Sequence, residues 1–202
     1  MLMTLCREPF GVNSTEDTTL MSFAPDTKVA LRSMVNLINT AGGTGADQLR
    51  TLGDLDSFLD REGFTGSRAH SEGELRAVRQ LRNRLRAIWT FSEDDAVRAV
   101  NDILRAARAL PQLVRHDHWD YHLHATTSEA PLEERMAVEA AMALVDVIRS
   151  RELDRLRVCA APDCGAAVLD LSRNRSKRYC DTGNCGNREH VRAYRQRRSS
   201  AG

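Results

Sequence analysis

No apolar run in the chain approaches the roughly 18–20 residues that a membrane helix needs, so no membrane partner is expected. The opening stretch, MLMTLCREPFGVNSTEDTTLM, lacks a basic segment followed by an apolar one. It reads as no secretory signal, and a cytoplasmic location is expected. There is no Gly-rich phosphate loop, no nucleophile elbow and no HExxH, so no catalytic set stands out and no enzyme is expected. No internal repeat of useful length is present. Lysine is nearly missing, 2 residues against 27 arginines, which reflects coding preference as much as function.

What is present has the balance of a soluble globular protein: 202 residues, 42% hydrophobic and 28% charged, enough chain for one or two domains with a real core. The formal net charge of +1 hides an asymmetry. From Arg151 onward 12 basic residues face 6 acidic ones, while the rest holds 17 against 22. That split suggests an acidic body joined to an end that binds a polyanion.

Residues 1–26 show no sustained period and read as a flexible arm, in which Cys6 is a spare thiol. From Thr27 the pattern turns helical. TKVALRSMVNLINTA puts Leu31, Met34, Val35 and Ile38 on one face, and Gly42-Gly43 stops it. GDLDSFLDREG reads as a short helix with Asp54 as cap and Gly63 as stop. A third helix opens on a Ser71-x-x-Glu74 capping box and carries a stripe of Leu75, Val78, Leu81, Leu85 and Ile88. A fourth is capped by Ser92 and closed by Pro111. QLVRHDHWDYHLHAT alternates and reads as one strand or a hairpin. The segment from Pro131 is apolar enough for a central buried helix, with Pro131 in its first turn.

The remaining four cysteines come as two C-x4-C pairs, Cys159/Cys164 and Cys180/Cys185, with fifteen residues between them. Four thiolates suit tetrahedral zinc, and the missing signal argues against disulfides. A catalytic zinc would keep an open position, and four thiolates leave none, so one structural zinc is expected. His190 is a substitute ligand. GAAVLDLS between the pairs can form a strand, and Gly165, Gly183 and Gly186 are expected in turns beside the ligands. After Cys185, GNREHVRAYRQRR reads as a helix with Arg188, Arg192 and Arg195 on one face and Val191 and Tyr194 packing on the zinc module. Arginine bonds phosphate or guanine edges. Arg173, Arg175, Lys177 and Arg178, in the loop before the third ligand, add a second basic element that can grip phosphate.

At DLSRNRSKRYCDTGNCGNREHVRAYRQRR the chain resembles the CGNR zinc-finger family, whose name Cys185, Gly186, Asn187 and Arg188 spell out. The resemblance includes Ser172-Arg173-Asn174, Tyr179 and all four cysteines. Upstream, VALRSMVNLINT with its Asn39-Thr40 pair, DLDSFLDREGF, Leu81-Arg82 and HLHAT resemble the ABATE domain that precedes this finger, so the match runs from about residue 30 to 198. The resemblance implies a stress-related bacterial transcription regulator that binds DNA.

One stretch remains. If HDHWDYHLH is a single strand, His116, His118, Asp120, His122 and His124 share a face and suit a second metal, while His122, His124, Arg82 or Asn39 suit a small-molecule effector pocket; the alternative is a half-exposed hairpin face with a turn near Asp117 and no ligand. The expected fold is mainly α (α+β). Residues 27–155 form a helical body with a small β element, a candidate sensor. Residues 156–199 form a treble-clef-like finger ending in a basic helix. One finger buries only about 600–1,000 Å² of protein surface on DNA, so a homodimer or a further DNA-binding element is expected. The alternative function is a zinc-stabilised protein-interaction module, and RNA binding is a third reading.

Overall fold

Each of the body's helices starts where the chain can spare or satisfy its first N–H groups. The computed structural model describes residues 23–42, 45–115 and 121–199. Cys6, His116, His118 and Asp120 lie outside these. Helix α1 (Pro25–Asn39) opens on a proline, which has no N–H to leave unpaired. Helix α2 (Leu52–Glu62) is capped by Thr51 rather than Asp54. The Thr51 hydroxyl accepts from Asp54 N, and Asp54 at the third position accepts in return from Thr51 N, so the two close a reciprocal box. Gly63 ends α2 in the left-handed conformation, φ 73. Helix α3 (Glu72–Ile88) is capped by Ser71 as expected. The Glu74 carboxylate does not close the box; it is buried and accepts instead from Arg68 and the Ala69 N–H. Helix α4 (Glu93–Ala106) is capped by Ser92.

Strands β1 (Gln112–Val114) and β2 (His122–His124) pair antiparallel, with Val114 opposite His122. The histidine-rich stretch is therefore a hairpin and not one uninterrupted strand, because the chain reverses between Val114 and His122. Helix α5 (Leu132–Arg149) follows, with Pro131 just before its first turn. Its Val138, Ala141, Leu144 and Val147 are buried, and it lies against α1, α3 and α4 at the centre of the body. Among the described residues no helix is long and apolar enough to cross a membrane.

A single 3-10 turn (Leu153–Arg155) leads into β3 (Leu156–Val158), which pairs antiparallel with β4 (Ala167–Leu169). Leu156, Ala167 and Leu169 belong to the same buried cluster as the body's helices. The finger's hairpin is thus part of the main core. Helix α6 (Cys185–Ser199) ends the described chain, and Cys185 is its one buried residue.

Candidate metal centre and its basic helix

The β3–β4 hairpin is held against the body by polar contacts made from helices α1 and α3. Asn39, at the last turn of α1, donates from Nδ2 to Ala167 O at 2.9 Å and accepts at Oδ1 from Ala167 N at 2.8 Å. Its amide thus replaces a neighbouring strand. Trp89 donates from Nε1 to Arg157 O at 2.9 Å, and the Arg86 guanidinium reaches Gly165 O. Asn39→Ala would leave two buried backbone groups unpaired. The expected cost is about 2–3 kcal/mol, read as a lower urea midpoint, with faster amide exchange at Ala167 and Val168.

This clamp turns the chain so that Cys159 and Cys164 lie in the β3–β4 connection. Cys159 N donates to Ala166 O at 2.9 Å, and Cys164 N donates to Ala161 O at 3.0 Å. The second pair arrives through the loop after β4, which Asp170 organises. Its carboxylate is fully buried and accepts from Ser172 N at 2.9 Å, the Ser172 hydroxyl, and Lys177 N at 2.8 Å, with Arg157 Nη1 at 3.3 Å. Burial pushes this carboxyl up, but the Ser172 and Lys177 hydrogen bonds and the Arg157 charge outweigh it, and its pKa is lowered.

The four sulfurs lie within 4.8 Å of one another. Cys164 Sγ is 3.7 Å and Cys185 Sγ 3.6 Å from Cys180 Sγ. Bonded disulfide sulfurs would be about 2.0 Å apart, whereas zinc–sulfur bonds of about 2.3 Å give a tetrahedral edge near 3.8 Å. The donor set and spacing fit one zinc ion. His190 is exposed on α6 and is not part of the cluster. Gly165, Gly183 and Gly186 do not adopt positive φ; Asn184 does, at φ 50. Gly183 is needed for room instead, since a Cβ there would lie 3.1 Å from Cys185 Sγ.

Helix α6 is rotated from the sequence expectation. Val191 and Tyr194 are 48% and 54% exposed and do not pack on the module. Cys185 is the first residue of the helix, so the positions three and seven further on share its face. These are Arg188 and Arg192. Arg188 Nη2 lies 3.0 Å from Cys185 Sγ, and Arg192 lies 3.0 Å from Glu189 and 3.9 Å from Asp163. A ligand at the first helical position settles this geometry, and the spacing alone held that signal.

The other candidate residues separate. Arg175 is engaged by Asp154 at 2.7 Å and Glu152 at 2.9 Å, and Lys177 by Asp181 at 2.6 Å. Arg173, Arg178 and Arg195 are exposed without an acidic partner among the described residues, and Arg178 lies over the Tyr179 ring. Arg82 is buried and forks onto Asp47 at 2.8 and 2.7 Å, holding that carboxyl down at about 2 through these hydrogen bonds first. His122 and His124 do share a face, with Nε2 atoms 2.9 Å apart. Asn39 and Arg82, two of the residues expected in an effector pocket, are held by internal partners, and the two histidines sit on the β1–β2 hairpin. A different cleft is present. A space of about 610 Å³ lies between α1 and the end of α2, at Arg61 and Glu62, and another of about 330 Å³ lies between α1 and the finger; the two share Arg32, Asn36, Asn39 and Thr182 as lining.

Residues 31–151 match the model of ABATE, described as "Putative stress-induced transcription regulator". The chain belongs to the ABATE family. Residues 155–198 match the model of the CGNR zinc finger, so the ABATE body and the finger meet at the 3-10 turn before β3. No curated protein matches this ABATE chain.

Proposed function

We propose that this protein is a non-enzymatic transcription regulator that binds duplex DNA through α6 and the loop before Cys180. The observation that carries the reading is a basic helix anchored at the metal centre and exposed beyond it. Arg195, Arg197 and Arg198 lie on the exposed length of α6 without an acidic partner among the described residues. Arg173 and Arg178 supply the same chemistry from the loop. At 15 residues α6 is about 22 Å long, enough to lie in a major groove. Arg175 and Lys177 contribute less, because each is already neutralised by carboxylates. The family name supports a stress response, and the site of action is then the cytoplasm, on the nucleoid.

One finger is a small DNA-binding surface, and a homodimer doubles it. The cross-strand pair Leu113 and Leu123 on the β1–β2 hairpin is exposed together with Leu110 and Tyr121, which supports self-association there. A small effector in the α1–finger cleft would touch both the body and the Cys180–Thr182 segment.

The test is duplex binding by the zinc-loaded protein at two salt concentrations. Each phosphate contact lowers log affinity by about 0.9 per decade of salt. The Arg195→Ala/Arg197→Ala/Arg198→Ala triple variant should keep its helix content, lose most affinity and lower that slope by about 2–3. Light scattering on the same samples reads the stoichiometry. Exposed Val191 and Tyr194 favour a second reading, a protein partner on α6. Absence of duplex binding even at low salt, in the folded protein, would decide for that reading.

A further inference from the structure

We propose that Arg188 is an outer-sphere residue of the zinc site: its guanidinium donates to the Cys185 thiolate and holds the metal, and it does not read bases. The assignment rests on the placement of each residue in the Cys-Gly-Asn-Arg run. Cys185 is a ligand and is fully buried. Gly186 lies under the Tyr179 ring, where a Cβ would be 3.5 Å from Cδ2. Asn187 donates from Nδ2 to Asn184 Oδ1 at 2.7 Å, and Asn184 O in turn accepts from Arg188 N at 3.1 Å. That small network closes the first turn of α6 around the left-handed Asn184. Arg188, three positions after the ligand, is then carried back over the sulfur, at 3.0 Å from Nη2.

The chemistry of the centre calls for such a group. Zinc with four thiolates carries a formal surplus of two negative charges, and a guanidinium offsets one of them. The other thiolates have different neighbours. Cys180 N donates to Cys159 Sγ at 3.4 Å, and hydrogen bonds from Thr182 and Gly183 reach Cys180. Among the described residues, Arg188 is the cationic side chain on Cys185. Arg192, one turn on, is directed at Asp163 and Glu189 and serves as the natural control. A donor on sulfur lowers the energy of its lone pairs, which slows attack on the thiolate by oxidants, and its positive charge offsets the surplus negative charge of the centre, which favours retention of the metal. The inference concerns the metal and stands whether or not α6 meets DNA.

The test uses the full chain loaded with cobalt or zinc. Arg188→Ala should retain the tetrahedral d–d bands of cobalt while its sulfur-to-cobalt charge-transfer band moves to lower energy. Its zinc affinity against a chromophoric chelator should fall about 10–100-fold, the usual loss when an outer-shell partner is removed. Arg192→Ala should match the wild type in both measurements. A merely structural role would leave the charge-transfer energy unmoved. Wild-type band position and zinc affinity in Arg188→Ala would overturn the proposal. Should Arg188→Ala fail to load metal, Arg188→Lys carries the test: a smaller band shift and partial loss of affinity support the assignment, and wild-type values overturn it.

Discussion

Cys180→Ser should empty the metal centre and dissolve the finger from residue 171 onward, while the β3–β4 hairpin stays in place. Cys180 is the hub of the cluster, with two sulfurs at 3.6 and 3.7 Å and its own N–H on Cys159 Sγ. A serine hydroxyl stays protonated at neutral pH and is a poor zinc ligand. The buried cluster under the metal is Cys159, Ala161, Ala166, Val168, Cys180 and Cys185. Three of these six are ligands, so little apolar surface remains to hold the module once zinc is gone. Structural zinc contributes about 10–16 kcal/mol of apparent binding free energy in small fingers, far more than such a cluster supplies. Freed from the metal, α6 is an arginine-rich helix of 15 residues, too short to persist alone in water. The hairpin resists because Leu156, Ala167 and Leu169 lie in the body's core and Asn39 clamps Ala167. Metal analysis should fall from one zinc per chain to none, and far-UV circular dichroism should lose the signal of α6. Amide spectra of the body should keep their positions. One zinc retained in this variant would refute the assignment. Each thiol must give up its proton to bind zinc, so loading the metal releases protons and zinc affinity falls as pH falls.

Asp170→Asn is the second large effect, and no metal ligand is altered. The native carboxylate is fully buried and accepts from Ser172 and Lys177 on both oxygens. An amide must turn its NH2 toward one of those donors, so one charged hydrogen bond is lost and one N–H is left facing another. Arg157 loses its counter-charge as well. Such a change costs about 2–4 kcal/mol, or a fall of about 5–15 °C in melting temperature for a chain of this size. The pH dependence has a definite sign. A carboxyl whose folded-state pKa is lowered contributes stability above its unfolded value of about 4 and loses it as pH falls further. Wild type and Asp170→Asn should therefore differ most at neutral pH and converge on acidification. A constant difference across that range would contradict the role given to the charge.

Several features were legible because they are local. Ser71 and Ser92 cap their helices, and Gly63 stops α2, through contacts within a few positions. The ligand set was readable because four thiolates in two short loops have few other uses in a chain of this composition. Asp54, the expected cap of α2, does bind the backbone at the helix start, but Thr51 is the cap and Asp54 its reciprocal partner. Near-sequence geometry also contained the rotation of α6. Counting from Cys185 places Arg188 and Arg192 on the metal's face, which leaves Val191 and Tyr194 outward.

Residue types and spacing by themselves determined the helical body, the serine caps of α3 and α4, the four-cysteine centre and the basic helix that starts from it. Each depends on chemistry within one turn or one loop. The tertiary structure decided which polar residues are free to act. Asn39 meets Ala167 across 128 positions, Arg82 meets Asp47 across 35, and Arg175 meets Glu152 across 23. A side chain's surplus hydrogen bonds become available only after the fold has chosen its partners. For that reason Asn39 and Arg82, candidates for a ligand pocket in the sequence, are a clamp and the buried half of an ion pair in the folded chain.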